Sequence, residues 1–232
     1  MMLELIAQSI LLSGGTVHSM EADQGPTLAD VTITDGRIAA VGPVGSLDAP
    51  EGAVVVDVTG MHVVPGLIDG MVNHDPDHDL LYVSAGVTLV RDAGNQVGRV
   101  LMERRPEARD RAPGPTLFVA GPVLDGDPPS TTEAAVMRSA DEVDVKLNPL
   151  LAAGVDYLSV HEGLPREAWE RVLVMAHENG LQVWGPVPSA VSLADVIAKA
   201  QDGVFGMQAL LPTGRVWRDA GPEDVLAALA AA

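Results

Sequence analysis

Residues 154–180 read GVDYLSVHEGLPREAWERVLVMAHENG, and this stretch indicates the fold class. It begins with a short apolar run, VDYLSV, which predicts a strand. A helical segment follows, with Pro165 near its first turn and Asn179-Gly180 at its end. Apolar residues in this segment share one helical face, namely Trp169, Val172, Leu173 and Ala176. A buried strand followed by an amphipathic helix is the repeating unit of a parallel α/β sheet.

The same alternation of strand and helix extends over the chain after Pro65. The predicted strands include GVTLVRDAG, TLFVAGPVL, LQVWGPV and GVFGMQAL. Predicted helices cover residues 95–108, 133–153, 165–179, 192–202 and 222–232. With one more strand at 63–69 there are six βα units, two fewer than close an eight-stranded barrel. The sequence therefore predicts an α/β, incomplete TIM-barrel-like domain over residues 63–232.

Residues 1–62 show a different pattern, with short apolar runs separated by turn residues. In VTITDGRIAAV the apolar alternation is interrupted by Asp35-Gly36, which predicts a hairpin with a tight turn. We therefore expect this region to be a small N-terminal β-sandwich segment.

Composition excludes several classes of function. The net charge of -18 opposes binding to nucleic acid or to an anionic membrane surface. The chain has no cysteine, so disulfides and thiolate chemistry are excluded. No run reaches the roughly 20 apolar residues of a membrane span, and the opening MMLELIAQSILL lacks the basic region of a signal peptide. We expect a soluble cytoplasmic protein.

Several motifs in order along the chain carry a family resemblance. They are VTITDGRIAAVGP, VVDVTGMHVVPGLIDG, AGVTLVRDAGN, APGPTLFVAGPVLDGDPP, AAGVDYLSVHEGLPREAW and AHENGLQVWGPVP. Together they resemble the amidohydrolase superfamily, in its imidazolonepropionase-like and prolidase-like branch. The resemblance implies a distorted TIM barrel with a small β-sandwich. It also implies one or two divalent metals at the C-terminal strand ends, where they activate water to hydrolyse C–N bonds.

The metal-ligand positions implied by the resemblance carry other residues in this chain. The His-x-His pair after the first barrel strand corresponds to Met71 and Asn73, and the bridging lysine of the fourth strand to Ser159. The histidines of the fifth and sixth strands correspond to Pro186 and Ala209. None of these side chains replaces imidazole or carboxylate as a ligand for zinc. The sequence also ends before the seventh and eighth strands, where the resemblance places a general-base Asp.

These substitutions predict a homologue without hydrolytic activity of its own, which acts by binding or association. We expect no cofactor, although the family would use zinc or another divalent metal. Strand edges left open by an incomplete barrel favour pairing with a second copy or with a partner chain. Arg91 and Asp92, at the end of the second barrel strand, are interpreted as structural support, and His161 as structural or at the edge of a ligand site.

An alternative keeps the protein as an active metal-dependent hydrolase. Its site would be displaced to the stretch after the first barrel strand, with His74, Asp75 and His78 as ligands, or would be completed by a partner chain. The competing interpretation of this stretch is an acidic loop that precedes the helix DLLYVSA, with Asp77 or Asp79 at the helix N-terminus.

Overall fold

A computed structural model of the chain describes residues 9–103 and 113–205. The chain divides into two compact units, Met1–Leu67 and Ile68–Ala232. The sequence places the division slightly earlier, between residues 62 and 63. Each unit is described separately below.

The described part of the first unit is one five-stranded sheet. Strand β1 pairs with β2 antiparallel and with both β4 and β5 in parallel, while β3 pairs with β2. The predicted hairpin is confirmed, because Asp35 and Gly36 join β2 to β3 with φ values of 52° and 71°. The strands are β1 (Ile10–Val17), β2 (Thr27–Thr34), β3 (Arg37–Pro43), β4 (Val54–Asp57) and β5 (His62–Val63).

A buried carboxylate, Asp30, connects three segments of this sheet. Its oxygens accept hydrogen bonds from the backbone N–H of Gly45 (2.7 Å) and of Gly14 (2.8 Å) and from the hydroxyl of Ser13 (3.2 Å). These donors, led by Gly45 N–H, hold the pKa of Asp30 below its usual range. The carboxylate therefore fixes both the bend in β1 and the turn after β3.

The second unit contains eight strands within the described residues. Hydrogen bonds join β6, β7 and β8 into one sheet, and β11, β12 and β13 into another, while β9 pairs with β10. The pairs β7–β8, β11–β12 and β12–β13 are parallel, as the sequence predicts. The strands are β6 (Leu67–Val72), β7 (Val87–Asp92), β8 (Thr116–Val119), β9 (Leu124–Asp125), β10 (Ala135–Val136), β11 (Tyr157–Ser159), β12 (Gln182–Gly185) and β13 (Gly203–Val204).

The two three-stranded sheets are neighbours at β8 and β11. The backbone N–H of Asp156 donates to Val119 O at 2.8 Å, and Leu124 forms a parallel bridge with Val160. The described strands thus follow the order of a (β/α) barrel without closing one. This agrees with the incomplete barrel-like fold predicted from the sequence.

Helices alternate with these strands, and most of them lie where the sequence predicts. One prediction was partly wrong: the helix expected over 133–153 begins only after Ser139, whose hydroxyl accepts from Glu142 N, because Ala135 and Val136 pair with β9 instead. The predicted helix at 222–232 lies outside the described residues. The helices are α1 (Asp79–Ser84), α2 (Val97–Glu103), α3 (Ala140–Ala153), α4 (Arg166–Glu178) and α5 (Leu193–Ala198).

The main apolar core of this unit lies between the helices and one face of β11 and β12. Leu158 and Val183 are fully buried in it together with Trp169 of α4. The Trp169 indole N–H donates to Gln201 Oε1 at 2.7 Å, and Gln201 Nε2 donates to the carbonyls of Gly185 and Gly203. The core therefore fixes the ends of β12 and the position of β13.

Candidate functional site

The second face of the same strands carries a different set of side chains. Because side chains alternate along a strand, Tyr157 and Ser159 lie opposite Leu158, and Trp184 lies opposite Val183. Ser159 pairs in register with Trp184, and Arg91 of β7 pairs in register with Phe118 of β8. We call this side of the sheets, away from the helices, the concave face.

An arginine on the concave face contacts aromatic rings from three other segments. The guanidinium carbon of Arg91 lies 3.8 Å from the ring centroid of Trp184, 5.0 Å from that of Tyr157 and 5.2 Å from that of Phe205. Phe118 stacks on Tyr157, with centroids 5.6 Å apart and planes 10° apart. We call Phe118, Tyr157, Trp184 and Phe205 the aromatic cluster.

The contact between Arg91 and Trp184 requires the strands between them to curve around the concave face. Their strands, β7 and β12, are separated by β8 and β11, so in a flat sheet they would be about 14 Å apart at the usual spacing of nearly 5 Å between strands. The side chains meet because the strands bend towards each other around the concave face. This bend brings the end of β7 to the end of β12, as in a barrel.

The Trp184 indole packs directly against the backbone of the neighbouring strand because that strand has a glycine at the contact. Trp184 pairs in register with Gly203 of β13, and a Cβ atom at position 203 would lie 2.1 Å from Cε3 of the indole. Any side chain at that position would collide with the ring. The bare backbone of Gly203 thus provides the surface on which the indole packs opposite Arg91.

Burial changes the acid–base properties of this cluster. It lowers the pKa of the Arg91 guanidinium from its usual range. Burial also raises the pKa of the Tyr157 phenol, so Tyr157 is neutral and donates its O–H to the carbonyl of Asp92 at 2.7 Å. The Nε atom of Arg91 is buried and has no hydrogen-bond partner.

Asp92, the next residue after Arg91, connects the ends of β6 and β7. Its Oδ1 accepts from the backbone N–H of His74 at 2.8 Å and from the amide of Asn95 at 2.6 Å. Its Oδ2 is buried without a hydrogen-bond partner, and burial raises the pKa of the carboxyl. The structural role predicted for Asp92 matches these contacts, since the side chain joins two strand ends.

The residues at the implied ligand positions lie around the strand ends without forming a ligand set. Met71, in β6, is 61% exposed, and Asn73 after it is exposed too. Ser159 is buried beside Trp184, and Pro186, just after β12, is half-buried. Ala209 lies outside the described residues. Over residues 9–103 and 113–205, no group of three or more His, Cys, Asp or Glu is arranged to hold a metal ion.

The residues of the alternative site make other contacts. His74 is buried, and its Nε2 pairs with Asp79 Oδ1 at 2.8 Å. Asp75 is the N-cap of a 3₁₀ turn, Pro76–His78, where it accepts from Asp77 N, and it pairs with Arg99 at 3.6 Å. His78 is exposed. Asp75 therefore caps the 3₁₀ turn, while Asp79 is the first residue of α1, so the prediction of Asp79 at the helix N-terminus is confirmed.

An oriented histidine at the end of β11 was only partly foreseen from the sequence. His161 Nδ1 lies 3.3 Å from Oδ2 of Asp125, a buried carboxylate that also accepts from the backbone N–H of Gly126 and of Ser130. The His161 side chain is 38% exposed. Spacing along the chain does not predict this pair, because 36 residues separate its members and the bridge between Leu124 and Val160 brings them together.

Comparison with known proteins supports the fold. No family model matches the chain. A stretch of 66 residues is 42% identical to adenine deaminase 1 of Desulfotalea psychrophila, which corresponds to 28% of this chain and 11% of that protein.

Solved structures match over much more of the chain. Bottromycin amidohydrolase superposes with a TM-score of 0.69 at 21% identity, covering 85% of this chain and 43% of that one. A Xaa-Pro dipeptidase gives 0.70 at 15% identity over 88% of this chain and 64% of that one, and A. niger ochratoxinase gives 0.68 at 13% over 85% and 60%. The chain thus spans about half of the length of these structures. The chain therefore shares the fold of these solved structures, in agreement with the fold that its sequence motifs predict.

Proposed function

We propose that this chain is an amidohydrolase homologue that does not hydrolyse substrates by itself and acts by binding, in the cytoplasm. The observation that supports this proposal is the concave face. Where the resemblance implies imidazole and carboxylate ligands, the described residues offer a thioether, an amide, a hydroxyl and a proline ring from Met71, Asn73, Ser159 and Pro186. An arginine against aromatic rings occupies the same end of the strands.

The donor set does not fit a divalent metal. A catalytic zinc site uses three protein ligands drawn from His, Asp, Glu and Cys, and a hard cation such as magnesium needs several oxygen ligands. The half-buried guanidinium of Arg91 nearby adds positive charge, which further opposes a cation on this face. The side chains at these positions therefore do not support metal-dependent hydrolysis.

Metal analysis and activity assays test this proposal together. The purified chain is loaded with zinc, manganese or nickel, dialysed, and measured for bound metal and for hydrolysis of Xaa-Pro dipeptides and cyclic amides. We expect substoichiometric metal and no turnover above that of buffer containing the same metal. Near-stoichiometric metal with turnover that a chelator abolishes would contradict the proposal.

The displaced-site alternative has its own control in the same assay. Suppose that the unchanged chain retains metal. If His74 and His78 are its ligands, the double variant His74→Ala and His78→Ala should lose the metal. The matched control is His177→Ala, since His177 is a half-exposed histidine paired with Asp202 on the helical side of the unit. Loss of metal in the double variant alone would identify the displaced site.

We also propose that the chain associates with a second copy or with a partner chain. Strand β6 is an end strand of its sheet within the described residues, and it exposes Ile68 (68%) and Met71 (61%). An exposed apolar edge strand favours pairing with another chain. Light scattering at micromolar concentration should show a dimer or larger species, and Ile68→Lys should shift it towards monomer. A stable monomer of the unchanged protein would contradict self-association.

A further inference from the structure

Arg91 differs from the other arginines that the structure describes in this unit, because no acidic side chain pairs with it there. Arg99, Arg138, Arg166 and Arg171 each pair with a carboxylate. Arg91 forms no ion pair with a residue that the structure describes. Its guanidinium has the neutral Tyr157 hydroxyl as a hydrogen-bond partner, and its Nε is buried without a partner. In a chain with 32 acidic and 14 basic residues, a half-buried cation without an acid is unusual.

The physical cost of this arrangement indicates a missing anion. Burial disfavours the charged form of Arg91. Cation–π contact with the aromatic rings compensates for only part of the lost hydration free energy. A guanidinium has five N–H donors in one plane, and contact with a ring uses its face and not these donors. Stacking on Trp184 therefore holds the guanidinium in place without supplying an anionic acceptor for its N–H donors.

The surroundings define what kind of anion fits. Phe118 is 36% exposed, and Trp184 and Phe205 are half-buried, so the aromatic cluster offers flat apolar surface next to the cation. A carboxylate matches the planar donors of arginine with two parallel hydrogen bonds, and a ring attached to it would lie against the cluster. The C-terminal ends of the strands are also where barrel proteins bind ligands.

We propose that Arg91 and the aromatic cluster form a binding site for a small-molecule monocarboxylate whose acid group is attached to a flat ring. This site specifies the ligand class of the binding role proposed above and depends on that role. Arg91 donates to both carboxylate oxygens, Trp184 and Tyr157 position the guanidinium, and the exposed rings contact the apolar part of the ligand.

Benzoate and benzamide are the probes that test this site. They share ring and size, but only benzoate carries the anion. Isothermal titration of the full chain should show saturable benzoate binding with a dissociation constant below about 10 mM, and binding of benzamide at least about 10-fold weaker. Equal binding of the two probes, or no saturable binding of benzoate, would overturn the proposal.

Variants of the arginine locate the site. Arg91→Gln should weaken benzoate binding about 10-fold or more and leave benzamide unchanged, because it removes the charge and the paired donors. Arg91→Lys keeps the charge without the planar donors. Its affinity for benzoate should therefore lie between that of the unchanged protein and that of Arg91→Gln. Arg138→Gln is the matched control, since Arg138 is exposed and paired with Asp127, and should bind benzoate like the unchanged protein. Benzoate binding that is unchanged in both Arg91 variants would overturn the assignment.

Spectroscopy separates a folding defect from loss of the site. The indole N–H resonance of Trp184 should shift on addition of benzoate, whereas that of the buried Trp169 should stay in place in every variant that folds. A benzoate-induced shift at Trp169 without one at Trp184 would place binding elsewhere. The metal and turnover assays report independently on the proposed lack of hydrolysis, so failure of either proposal is distinguishable from failure of the other.

Discussion

The two faces of β11 and β12 show how one pair of strands serves two purposes. On the helical side, Leu158 and Val183 are fully buried in an apolar core around Trp169. On the concave face, Tyr157 and Trp184 surround a cation that lacks an acidic partner among the described residues. The first face satisfies its polar groups internally, as the hydrogen bond from Trp169 to Gln201 shows, while on the second face the Arg91 Nε is buried without an acceptor. We therefore expect stability to come mainly from the first face, and we assign the proposed ligand recognition to the second.

The largest effect should come from truncating the core tryptophan. Trp169→Ala removes a fully buried ring and the hydrogen bond to Gln201, so the free energy of unfolding should fall by about 3–5 kcal/mol. Trp184→Ala removes a half-buried ring and should cost roughly 1–2 kcal/mol. Urea unfolding followed by far-UV circular dichroism measures both. Equal losses of unfolding free energy in the two variants would mean that the concave face is a second core. That result would contradict the difference proposed between the two faces.

A smaller effect should follow from removing one hydroxyl on the concave face. Tyr157→Phe loses the hydrogen bond to Asp92 O, and we expect a loss of about 1 kcal/mol in unfolding free energy, since Ala120 N also donates to that carbonyl at 3.3 Å. Tyr82→Phe is the matched control, because Tyr82 packs in the smaller apolar cluster beside β7 and β8. A larger loss in the control than in Tyr157→Phe would contradict this assignment.

The carboxyl of Asp92 should make stability depend on pH. Burial raises its pKa in the folded state above the value of about 3.9 in the unfolded chain. The folded state therefore binds the proton more tightly, and this contribution to stability is complete below the unfolded pKa and is lost as pH rises through the folded pKa. Asp92→Asn should remove this loss of stability with rising pH. The control Asp77→Asn, at an exposed position, should keep it. A decline with rising pH that persists unchanged in Asp92→Asn would contradict the prediction.

The smallest effect distinguishes a structural from a binding role for Arg91. Arg91→Met keeps much of the side-chain volume and removes a half-buried charge without an acidic partner among the described residues, so the free energy of unfolding should change by less than about 1 kcal/mol. Benzoate binding should be lost in the same variant. A large loss of stability would favour the purely structural role that the sequence suggests for this residue.

The sequence predicts the scaffold well because its signals are local. The strand and helix at 154–180 follow from apolar alternation and from the punctuation at Pro165 and Gly180, and both are confirmed within a few residues. The Asp35-Gly36 turn follows from the positive φ that such a hairpin requires. The start of α3 was predicted too early, because the pairing of β10 with β9 is not visible in the helical pattern of residues 133–139.

The candidate site depends on contacts between distant residues, which no local pattern reports. Residue types alone show that positions where the resemblance implies metal ligands carry other side chains here, such as Met71 and Ser159. They do not reveal that Arg91 meets Trp184, since 93 positions separate the two and their contact depends on curvature across four strands. The three tryptophans lie too far apart in the sequence to predict a ring contact, for the same reason. The contacts of Arg91 and Trp184 are therefore visible only in the structure.

Gly203 has a consequence for how ligand preference could change. A methyl group there would occupy space that the Trp184 indole now fills, so exchanging glycine for alanine would displace the ring and the guanidinium that stacks on it. The shape of the concave face beside Arg91 is thus adjustable from a neighbouring strand, by a single nucleotide change that alters no charge. Related chains that differ at this one position should accept acids of different breadth.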